Sequence, residues 1–411
     1  MRKLCLITKT FPFGDEEKAF LQYEVELLEQ HFDLTVVAAE LNAQSDMECQ
    51  TQYRTVKLEK QASLFDKLVS MISFLCKREA WEEISIIFKS RKLIRKRLFR
   101  ALMFGTAAET FWRNLKSVYG INKDTDTCFY FYWWDYKCLG ITMHKKKYPN
   151  IKIVTRTHGY DLYDERELYG KQFFKRQMER NLDKIFFISD YGRQYYMEHY
   201  GRKNEEKYVL SRLGVSAQHI RQGEVSNAFV LVSCSNVVPL KRIELIIQGL
   251  ALINVVKIQW IHFGDGEMLE NMREMAQNLL DKKDNIVYQF MGRVDNKDIL
   301  EYYQSQAVSC FITTTSTEGN PVSVQEALSF GIPVIGTEVS DIPLMICGNG
   351  QLLSQSPTPQ QIADTILSVV SASKEEREQM KEKSYRIWKR DYDAEKNYAD
   401  FVHQLMKECT E

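Results

Sequence analysis

The segment TEGNPVSVQEALSFGIPVIGT, residues 317–337, predicts a loop, a short helix and a buried strand. Asn320 is a favourable N-cap residue and Pro321 suits the first helical position, so the helix is predicted to begin there. A glycine then ends the helix, and the Ile-Pro-Val-Ile run is typical of a strand. Glu318 precedes this helix and Glu326 lies on it, eight positions further on. The segment therefore indicates a parallel α/β sheet with acidic residues around a helix start.

Strand-like and helical segments alternate on both sides of this stretch. In the second half of the chain, further strands are predicted at FVLVSCS from residue 229, VVKIQWIHFG from 255, NIVYQFMG from 285 and SCFITTT from 309. In the first half they are predicted at LCLIT from residue 4, LTVVAA from 34, TCFYFYWW from 127, IKIVTRTHG from 151 and KIFFIS from 184. Residues 216–228 are polar and aperiodic, which is typical of a linker. The pattern predicts two tandem Rossmann-like, doubly wound α/β domains facing a cleft, with ligands at the carboxyl ends of the strands.

The composition excludes several classes of protein. The chain has 411 residues, 44% of them hydrophobic, and a formal net charge of zero, which gives no reason to expect a nucleic-acid partner. Its nine cysteines show no disulfide or zinc spacing. Neither a signal peptide nor a membrane-spanning segment is indicated. A cytoplasmic protein is therefore expected.

The predicted helix start would suit an anion. The backbone amides of Val322, Ser323 and Val324 are expected to be free donors there, and the helix dipole favours negative charge. Glu326 would accept hydrogen bonds from paired hydroxyls such as those of a ribose, and Glu318 would face the group beyond the phosphates. A Ser-x-x-Glu capping box at Ser323 and Glu326 is the alternative explanation of the second acid.

Two Asp-x-Asp pairs invite comparison with metal sites. They are Asp124 with Asp126 and Asp391 with Asp393. Neither pair follows an apolar strand or has further ligands nearby in sequence, so each is interpreted as a turn or a helix cap. No metal site is expected.

Motifs throughout the chain resemble those of one enzyme family. The spacing of Glu318 and Glu326, followed by Ala-Leu and Gly-Ile-Pro-Val-Ile, closely resembles the signature of GT-B retaining glycosyltransferases of family four, the glycosyl transferases group 1 type. Further matching segments are TFPFGDEEKAFLQYEVELL from residue 10, TRTHGYDLY from 155, KIFFISDYGRQYY from 184, RLGV from 212, SCSNVVPLKRIELIIQGLALI from 233, HFGDGEMLENM from 262, FMGRVDNKDILEYY from 290 and YRIWKRDYDAEKNYADFVHQL from 385. The resemblance covers nearly the whole chain and is weakest over residues 45–120.

The resemblance implies a division into domains. Residues 1–215 would form the acceptor-side domain and 229–385 the domain that binds a nucleotide-sugar donor. Residues 386–411 would form a helix that crosses back to the first domain.

The resemblance also implies site residues. The expected catalytic residues are His158, Glu318 and Lys241, which would contact the sugar, its hydroxyls and the diphosphate. The expected donor site consists of Asn236, Lys241, Arg242, Gly264, Arg293, Glu318, Gly319, Asn320, Pro321, Val322, Ser323, Val324 and Glu326. The expected acceptor-side residues are Gly14, Asp135 and Asp161.

Some of these positions have other interpretations. Asn236 stands where the family usually has an arginine that pairs with the diphosphate, so Arg242 or Arg293 would replace it, or remain a solvated surface residue. His158 is also compatible with a histidine satisfied by neighbouring backbone. Asp161 would orient His158, bind the acceptor or cap a loop. Trp133 and Trp134 would stack on a sugar or pack in the core.

The implied activity is transfer of a sugar, with retention, from a nucleoside-diphosphate sugar to a glycan or lipid-linked acceptor in cell-surface polysaccharide synthesis. No cofactor and no divalent metal would be required. An epimerase or a phosphorylase on the same scaffold is the alternative enzyme, and a non-catalytic nucleotide-sugar-binding partner is the alternative from another class.

A basic segment bears on the acceptor. Residues 89–100, KSRKLIRKRLFR, place Ile94 and Leu98 on one helical face among lysines and arginines, and Leu102 continues that face. Such a helix would lie on an anionic membrane as a peripheral contact, or it would be an ordinary basic surface helix.

Overall fold

Two parallel sheets, each covered by helices on both faces, organise the chain. The structure is a computed structural model, and it describes residues 1–14, 17–41, 51–59, 63–201, 204–217 and 228–410. One unit comprises Met1–Ser211 and Tyr398–Glu411, and the other comprises Arg212–Asn397. Residues 218–227 of the predicted linker lie outside the described residues.

The N-terminal unit contains seven strands and its helices. The strands are β1 (Arg2–Thr8), β2 (Phe32–Leu41), β3 (Arg54–Glu59), β4 (Cys128–Phe131), β5 (Lys152–Thr157), β6 (Lys184–Phe187) and β7 (Tyr208–Leu210). The helices are α1 (Lys18–His31), α2 (Leu64–Leu75), α3 (Arg78–Ser90), α4 (Ile94–Tyr119), α5 (Tyr136–Thr142), α6 (Lys175–Glu179) and α7 (Asp190–Tyr200). The strand order is β3-β2-β1-β4-β5-β6-β7, and every pairing is parallel.

Alternate residues of these strands feed two apolar layers. Ile7 and Phe129 belong to the layer that includes α3, α4 and α5 residues. Leu6 and Tyr130 belong to the layer that contains α1 and the C-terminal helix residue Phe401. Burial of both faces explains why these strands are nearly continuous apolar runs.

The C-terminal unit repeats this plan with six strands. They are β8 (Phe229–Cys234), β9 (Ile258–Phe263), β10 (Ile286–Phe290), β11 (Cys310–Thr313), β12 (Val334–Thr337) and β13 (Gly350–Leu353). The helices are α8 (Ile243–Ala251), α9 (Leu269–Leu280), α10 (Asn296–Ser305), α11 (Val322–Ser329), α12 (Ile342–Met345), α13 (Pro359–Val370) and α14 (Lys374–Asp391). The last helix, α15 (Ala394–Thr410), begins in this unit and belongs to the N-terminal unit from Tyr398 onward. The order β10-β9-β8-β11-β12-β13 is again wholly parallel.

The prediction of two doubly wound α/β domains is confirmed, because each unit contains a parallel sheet with helices on both faces. The three strands that the sequence patterns missed are β3, β7 and β13, and each lies at the outer edge of its sheet. Edge strands are short or carry polar residues, as RTVKLE in β3 does, so they lack the apolar run of a central strand.

Candidate functional site

The strands β8 and β11 meet at the topological switch point of the C-terminal unit. β8 pairs with β9 on one side and with β11 on the other, so the connections after these two strands leave toward opposite faces. A crevice opens at the carboxyl ends of strands at such a point. The segments that follow β8 and β11 therefore form the first candidate site.

Lys241 and Glu318 form an ion pair at this switch point. Their side chains are only 20% and 13% exposed. The loops that carry them are joined by backbone contacts, since the Thr314 hydroxyl donates to the Lys241 carbonyl at 3.0 Å and the Ser316 amide donates to the Leu240 carbonyl at 2.8 Å. Two predicted site residues that are distant in sequence are thus in contact.

Ser340 fixes the loop that carries Glu318. Its hydroxyl accepts from the Glu318 amide at 3.2 Å and donates to the Glu318 carbonyl at 2.6 Å. Gly319 is buried in the same loop. Because Ser340 has φ of 52°, in the left-handed region, its backbone is held in a conformation that serine seldom adopts.

The helix after Glu318 begins one residue later than predicted. Pro321 is the N-cap of α11, and its carbonyl accepts from the Val324 amide at 3.1 Å. The Asn320 side chain does not cap the helix but accepts from Gln325 Nε2 at 2.6 Å. The prediction of a free Val324 amide is wrong because the proline carbonyl closes the first turn. The amides of Val322 and Ser323 precede that bond and point out of the helix start.

Glu326 lies in the second turn of α11 and is 6% exposed. Asn296 Nδ2, at the start of α10, donates to Glu326 Oε1 at 2.6 Å. Burial raises the pKa of the Glu326 carboxyl to about 7, and the Asn296 bond opposes this shift. Ser323 is the second residue of the helix and not its N-cap, so the capping-box alternative does not apply.

The Arg242 guanidinium donates hydrogen bonds to three backbone carbonyls. Its Nε donates to the Thr314 carbonyl at 2.6 Å, and its two Nη atoms donate to the carbonyls of Thr315 at 2.8 Å and Gln355 at 2.9 Å. The diphosphate role predicted for Arg242 would require these bonds to break. Arg242 instead holds the end of β11 in place.

Arg293 is the other arginine that the sequence offered in place of Asn236. It is exposed after β10 and forms no ion pair with the residues that the structure describes. The adjacent Gly292 carbonyl accepts from the Gly264 amide at 2.9 Å. Gly264 has φ of 141°, and a Cβ there would lie 1.8 Å from the Ser235 carbonyl oxygen, so only glycine fits. Asn236 is exposed after β8.

The N-terminal unit has its own switch point, between β1 and β4. Lys9 directly follows β1, while Trp133 and His158 lie just after β4 and β5. The Lys9 ammonium lies 4.7 Å from the Trp133 ring centroid and 4.1 Å from that of Tyr160. These side chains form a second polar and aromatic cluster, described here as the Lys9 cluster: Lys9, Trp133, His158 and Tyr160.

His158 is 8% exposed, and its ring lies 4.6 Å from the Tyr132 ring and 4.4 Å from the Trp133 ring. Neither ring nitrogen has a hydrogen-bond partner in the part of the chain that the structure describes. Burial, with the positive charges of Arg156 and Lys9, holds the pKa of His158 well below its ordinary value. The neutral ring thus offers one donor and one acceptor, and the alternative of a histidine satisfied by backbone does not hold.

Asp161 acts on the His158 backbone. Its carboxylate accepts from the His158 amide at 2.6 Å, the Thr157 hydroxyl at 3.1 Å and the Trp134 amide at 2.8 Å. The His158 ring nitrogen Nδ1 is 4.0 Å from Asp161 Oδ2, beyond hydrogen-bond distance. Burial raises the pKa of Asp161 to about 6, opposed by Lys175 and these hydrogen bonds. Of the three roles considered for Asp161, loop capping is the one that these contacts match.

The other two predicted acceptor-side residues have local partners. Asp135 caps α5 through the Lys137 amide at 2.9 Å and forms an ion pair with the Lys137 ammonium at 2.5 Å. A Cβ at Gly14 would lie 2.8 Å from both Cβ and Oγ1 of Thr10, so this glycine permits the close approach of Thr10. Trp134 is fully buried in the core, whereas Trp133 is half-buried.

Glu17 was not singled out by the sequence patterns. It is 2% exposed, and its carboxylate accepts from the amides of Lys9, Thr10 and Phe11 at 2.7–3.1 Å and from Trp133 Nε1. Nothing in the spacing of Glu17 indicates this role. Lys9, Tyr160, Asn296 and Ser340 were also missed, although Tyr160 lies within the TRTHGYDLY motif.

The basic segment predicted as one helix is interrupted. α3 ends at Ser90 and α4 begins at Ile94. Ile94, Leu98 and Leu102 pack against the core of the N-terminal unit, so the predicted apolar face of this segment is not exposed to a membrane. The physical reason is that α4 is a covering helix of the sheet and needs that face for packing.

The described residues show no group of three or more metal-ligating side chains. Asp391 and Asp393 form ion pairs with Arg390 and Lys389, and the Asp124 amide donates to Asn122 Oδ1 at 2.8 Å in a turn. All eight cysteines in these ranges are free thiols. No helix within them is long and apolar enough to cross a membrane.

Comparisons with known proteins agree with this geometry. Residues 216–387 match the family described as glycosyl transferases group 1. An uncharacterized glycosyltransferase of Haemophilus influenzae is 31% identical over 136 residues, which cover 32% of this chain and 36% of that relative. The chain thus matches only about a third of this relative's length.

Solved structures share the fold over nearly the whole chain. The lipopolysaccharide outer core galactosyltransferase WaaB has a TM-score of 0.68 at 16% identity and covers 99% of both chains. HepE of Anabaena, solved with UDP and glucose, has a TM-score of 0.66 at 13% identity and covers 99% of this chain and 100% of that one. TarM of S. aureus, solved with UDP and other ligands, has a TM-score of 0.67 at 11% identity, with full coverage of both chains.

The sequence match lies on the unit that carries Lys241, Glu318 and Glu326, and the structural matches extend over both units. The fold is that of the GT-B glycosyltransferases, and residues 216–387 are similar to the glycosyl transferases group 1 family.

Proposed function

We propose that this protein transfers a sugar, with retention of configuration, from a nucleoside-diphosphate sugar to a glycan or lipid-linked acceptor in cell-surface polysaccharide synthesis. The observation that carries the proposal is the ion pair of Lys241 and Glu318 at the switch point, in front of the α11 helix start. The relatives add support, since WaaB is named as a lipopolysaccharide galactosyltransferase and HepE was solved with UDP and glucose.

Sugar transfer places negative charge on the leaving diphosphate and positive charge on the anomeric carbon. Lys241, the amides of Val322 and Ser323 and the α11 dipole would stabilise the diphosphate. On donor binding the Lys241 ammonium exchanges its Glu318 partner for phosphate oxygens, which frees Glu318 to bind sugar hydroxyls. Because these groups supply the positive charge, we propose that the transfer requires no divalent metal.

Glu326 is assigned to the ribose. Its carboxyl is buried beside Asn296 and accepts a single bond there, at Oε1. Two hydroxyls of a ribose would supply the donors that a buried carboxylate needs. Arg293, exposed and unpaired among the described residues, is assigned to the diphosphate in place of the family arginine that is missing at Asn236.

His158 is assigned to a sugar hydroxyl. Its neutral ring can donate or accept a hydrogen bond to that hydroxyl without adding a positive charge. No protein nucleophile is assigned, and the leaving phosphate would deprotonate the acceptor on the same face.

A membrane contact on the cytoplasmic side fits a lipid-linked acceptor, but at a different surface from residues 89–100. The outward face of α2 exposes Leu64, Phe65, Leu68 and Ile72, at 86%, 73%, 49% and 54%. Residues 64–119 carry twelve Lys and Arg against five Asp and Glu, whereas the whole chain is neutral. Exposed apolar side chains within a basic region are suited to an anionic bilayer.

Stabilisation by nucleotides tests the donor site. Thermal unfolding would be followed with UDP, GDP, ADP, CMP and dTDP for the wild type, Lys241→Ala, Glu326→Ala and the exposed control Lys257→Ala. One nucleotide should raise the melting temperature of the wild type and of the control, because a ligand that binds only the folded state stabilises it. No response to any nucleotide, or responses that survive both site substitutions, would refute the donor-site assignment.

Vesicle flotation tests the membrane contact. The wild type should float with phosphatidylglycerol vesicles and not with phosphatidylcholine vesicles, and Phe65→Ser with Ile72→Ser should abolish flotation. The matched control is Val287→Ser, which changes an exposed apolar residue of the C-terminal unit. Equal flotation of all variants would refute the contact.

A further inference from the structure

The Lys9 cluster contains a cation that no described carboxylate neutralises. Lys9 contacts the faces of Trp133 and Tyr160, and no carboxylate among the described residues forms an ion pair with its ammonium. Aromatic faces hold an ammonium in place through their quadrupoles but leave its net charge intact. The cluster therefore presents a positioned positive charge at the switch point of the N-terminal unit.

Among the described residues, the acidic side chain that reaches this loop is Glu17, and it is already occupied. The Glu17 carboxylate accepts from the amides of Lys9, Thr10 and Phe11 and from Trp133 Nε1. These bonds hold the loop and the Trp133 ring while they consume the lone pairs of the carboxylate. Glu17 thus fixes the position of Lys9 without pairing with its ammonium.

A second, independent observation points to a ligand. His158 is more than nine-tenths buried, lies 4.4 Å from the Trp133 ring and has two unpartnered ring nitrogens. Thr10 Oγ1 is also buried without a partner among the described residues. Buried polar atoms normally have hydrogen-bond partners, so exceptions next to an ammonium held on aromatic rings indicate a binding site.

Tyr160 supplies the accessible wall of the cluster. It is 42% exposed, and its ring lies 5.3 Å from the Trp133 ring at an angle of 74°. A sugar ring can pack its apolar face on such an aromatic surface while its hydroxyls reach polar neighbours.

From this geometry we infer that the Lys9 cluster binds an anionic acceptor, a sugar that carries a phosphate or a carboxylate close to the hydroxyl that is glycosylated. Lys9 pairs with the anion, the Tyr160 ring packs on the sugar, and His158 hydrogen-bonds to a hydroxyl. The identification of this ligand as the acceptor rests on the proposed function, but the anion site itself does not.

Three small probes distinguish the source of the charge. Glucose 1-phosphate, glucuronate and methyl glucoside would be titrated into the full chain with tryptophan fluorescence as the readout, in the presence of the stabilising nucleoside diphosphate so that the donor site is filled. At least one anionic probe should bind more tightly than methyl glucoside. Preference for glucose 1-phosphate indicates a phosphate-bearing acceptor, and preference for glucuronate indicates a carboxylate-bearing one.

Substitutions then locate the site. Lys9→Met should weaken binding of the anionic probe about tenfold or more, the loss expected for one charge-assisted hydrogen bond, and Lys9→Arg should retain most of the binding. The matched control is Lys116→Met, since Lys116 lies 5.8 Å from the Tyr148 ring in the same unit. Equal binding by the wild type and Lys9→Met, or a dependence on Lys241 in place of Lys9, overturns the inference.

This inference and the proposed function fail separately. If no nucleotide binds but the anionic probe still requires Lys9, the transferase proposal fails and the anion site stands. If a nucleotide binds through Lys241 and Glu326 but probe affinity does not depend on Lys9, the transferase proposal stands and the anionic acceptor is refuted.

Discussion

The two units share a topology but treat charge differently at their switch points. In the C-terminal unit, Lys241 is paired with the carboxylate of Glu318. In the N-terminal unit, Lys9 lies on aromatic rings, and the nearby carboxylate of Glu17 is bound by backbone amides. Topology therefore determines where a ligand can bind, while a few local residues determine which charge it meets.

A second difference concerns buried charge. Two residues before His158 in the chain, Arg156 forms an ion pair with Glu24, and both side chains are fully buried. Tyr130 donates to the same carboxylate at 2.8 Å, and the Arg156 guanidinium lies 4.6 Å from the Phe401 ring of the C-terminal helix. We expect this pair to serve stability, in contrast to the switch-point pair of the C-terminal unit.

The largest expected effect comes from breaking the buried pair. Arg156→Met should reduce the free energy of unfolding by about 3–5 kcal/mol, because it leaves Glu24 buried without its cation. Denaturation in guanidinium chloride, followed by circular dichroism, would measure the loss. The pair of Arg100 and Glu167, whose arginine is 44% exposed, provides the control, and Arg100→Met should cost at most about 1 kcal/mol. Similar losses in the two variants would contradict a special role for the buried pair.

The next effect concerns the paired lysine. Lys241→Ala should lower the rate of donor turnover by about a hundredfold or more, since it removes a preorganised positive group from the leaving diphosphate. Release of nucleoside diphosphate would be measured, with Lys257→Ala as the control. Because the pair of Lys241 and Glu318 is partly exposed, the melting temperature of the Lys241→Ala variant should stay close to that of the wild type. A folded variant with unchanged turnover would show that this pair is structural, like that of Arg156.

The smallest effect is a pH dependence. The pKa of Glu326 is raised from 4.5 to about 7, so its ionised form, which accepts ribose hydroxyls, predominates only above that value. Nucleotide affinity should therefore fall by up to about tenfold as pH is lowered from about 8 to about 6. The raised pKa also means that the contribution of Glu326 to stability is fully present below pH 4.5, where the carboxyl is neutral in the folded and the unfolded chain, and is lost as pH rises through about 7.

Calorimetric titration at several pH values would measure the affinity. Glu326→Gln should bind the nucleotide weakly, because it lacks the carboxylate. Its affinity should not change with pH, because the amide does not titrate. A wild-type affinity that is constant over this range would contradict the role of the carboxylate.

Much of the fold was predictable because its central strands are buried on both faces and form apolar runs. The edge strands β3, β7 and β13 were not, since one side of each is unpaired and their residues are mixed. The helix start at Val322 was misplaced by one residue because Asn320 uses its side chain on Gln325, a choice that the local sequence does not reveal.

The candidate site was predictable where a residue type and a motif coincide, as for Lys241, Glu318 and Glu326. It was not predictable where function depends on what a side chain does not contact. Arg242 and Arg293 look equivalent in sequence, but only the structure shows that carbonyls hold the first. Lys9 gave no signal in the sequence, because its position on the aromatic rings, away from the Glu17 carboxylate, depends on the amides that occupy Glu17.

The carboxylate of Glu17 determines which backbone amides of the N-terminal unit are available to a ligand. Three successive amides after β1 donate to one anion, as backbone amides do in phosphate sites of other proteins, and here that anion is the internal carboxylate of Glu17. These three amides are therefore not available to an external phosphate, and a single side chain distinguishes the backbone after β1 from the start of α11 in the C-terminal unit.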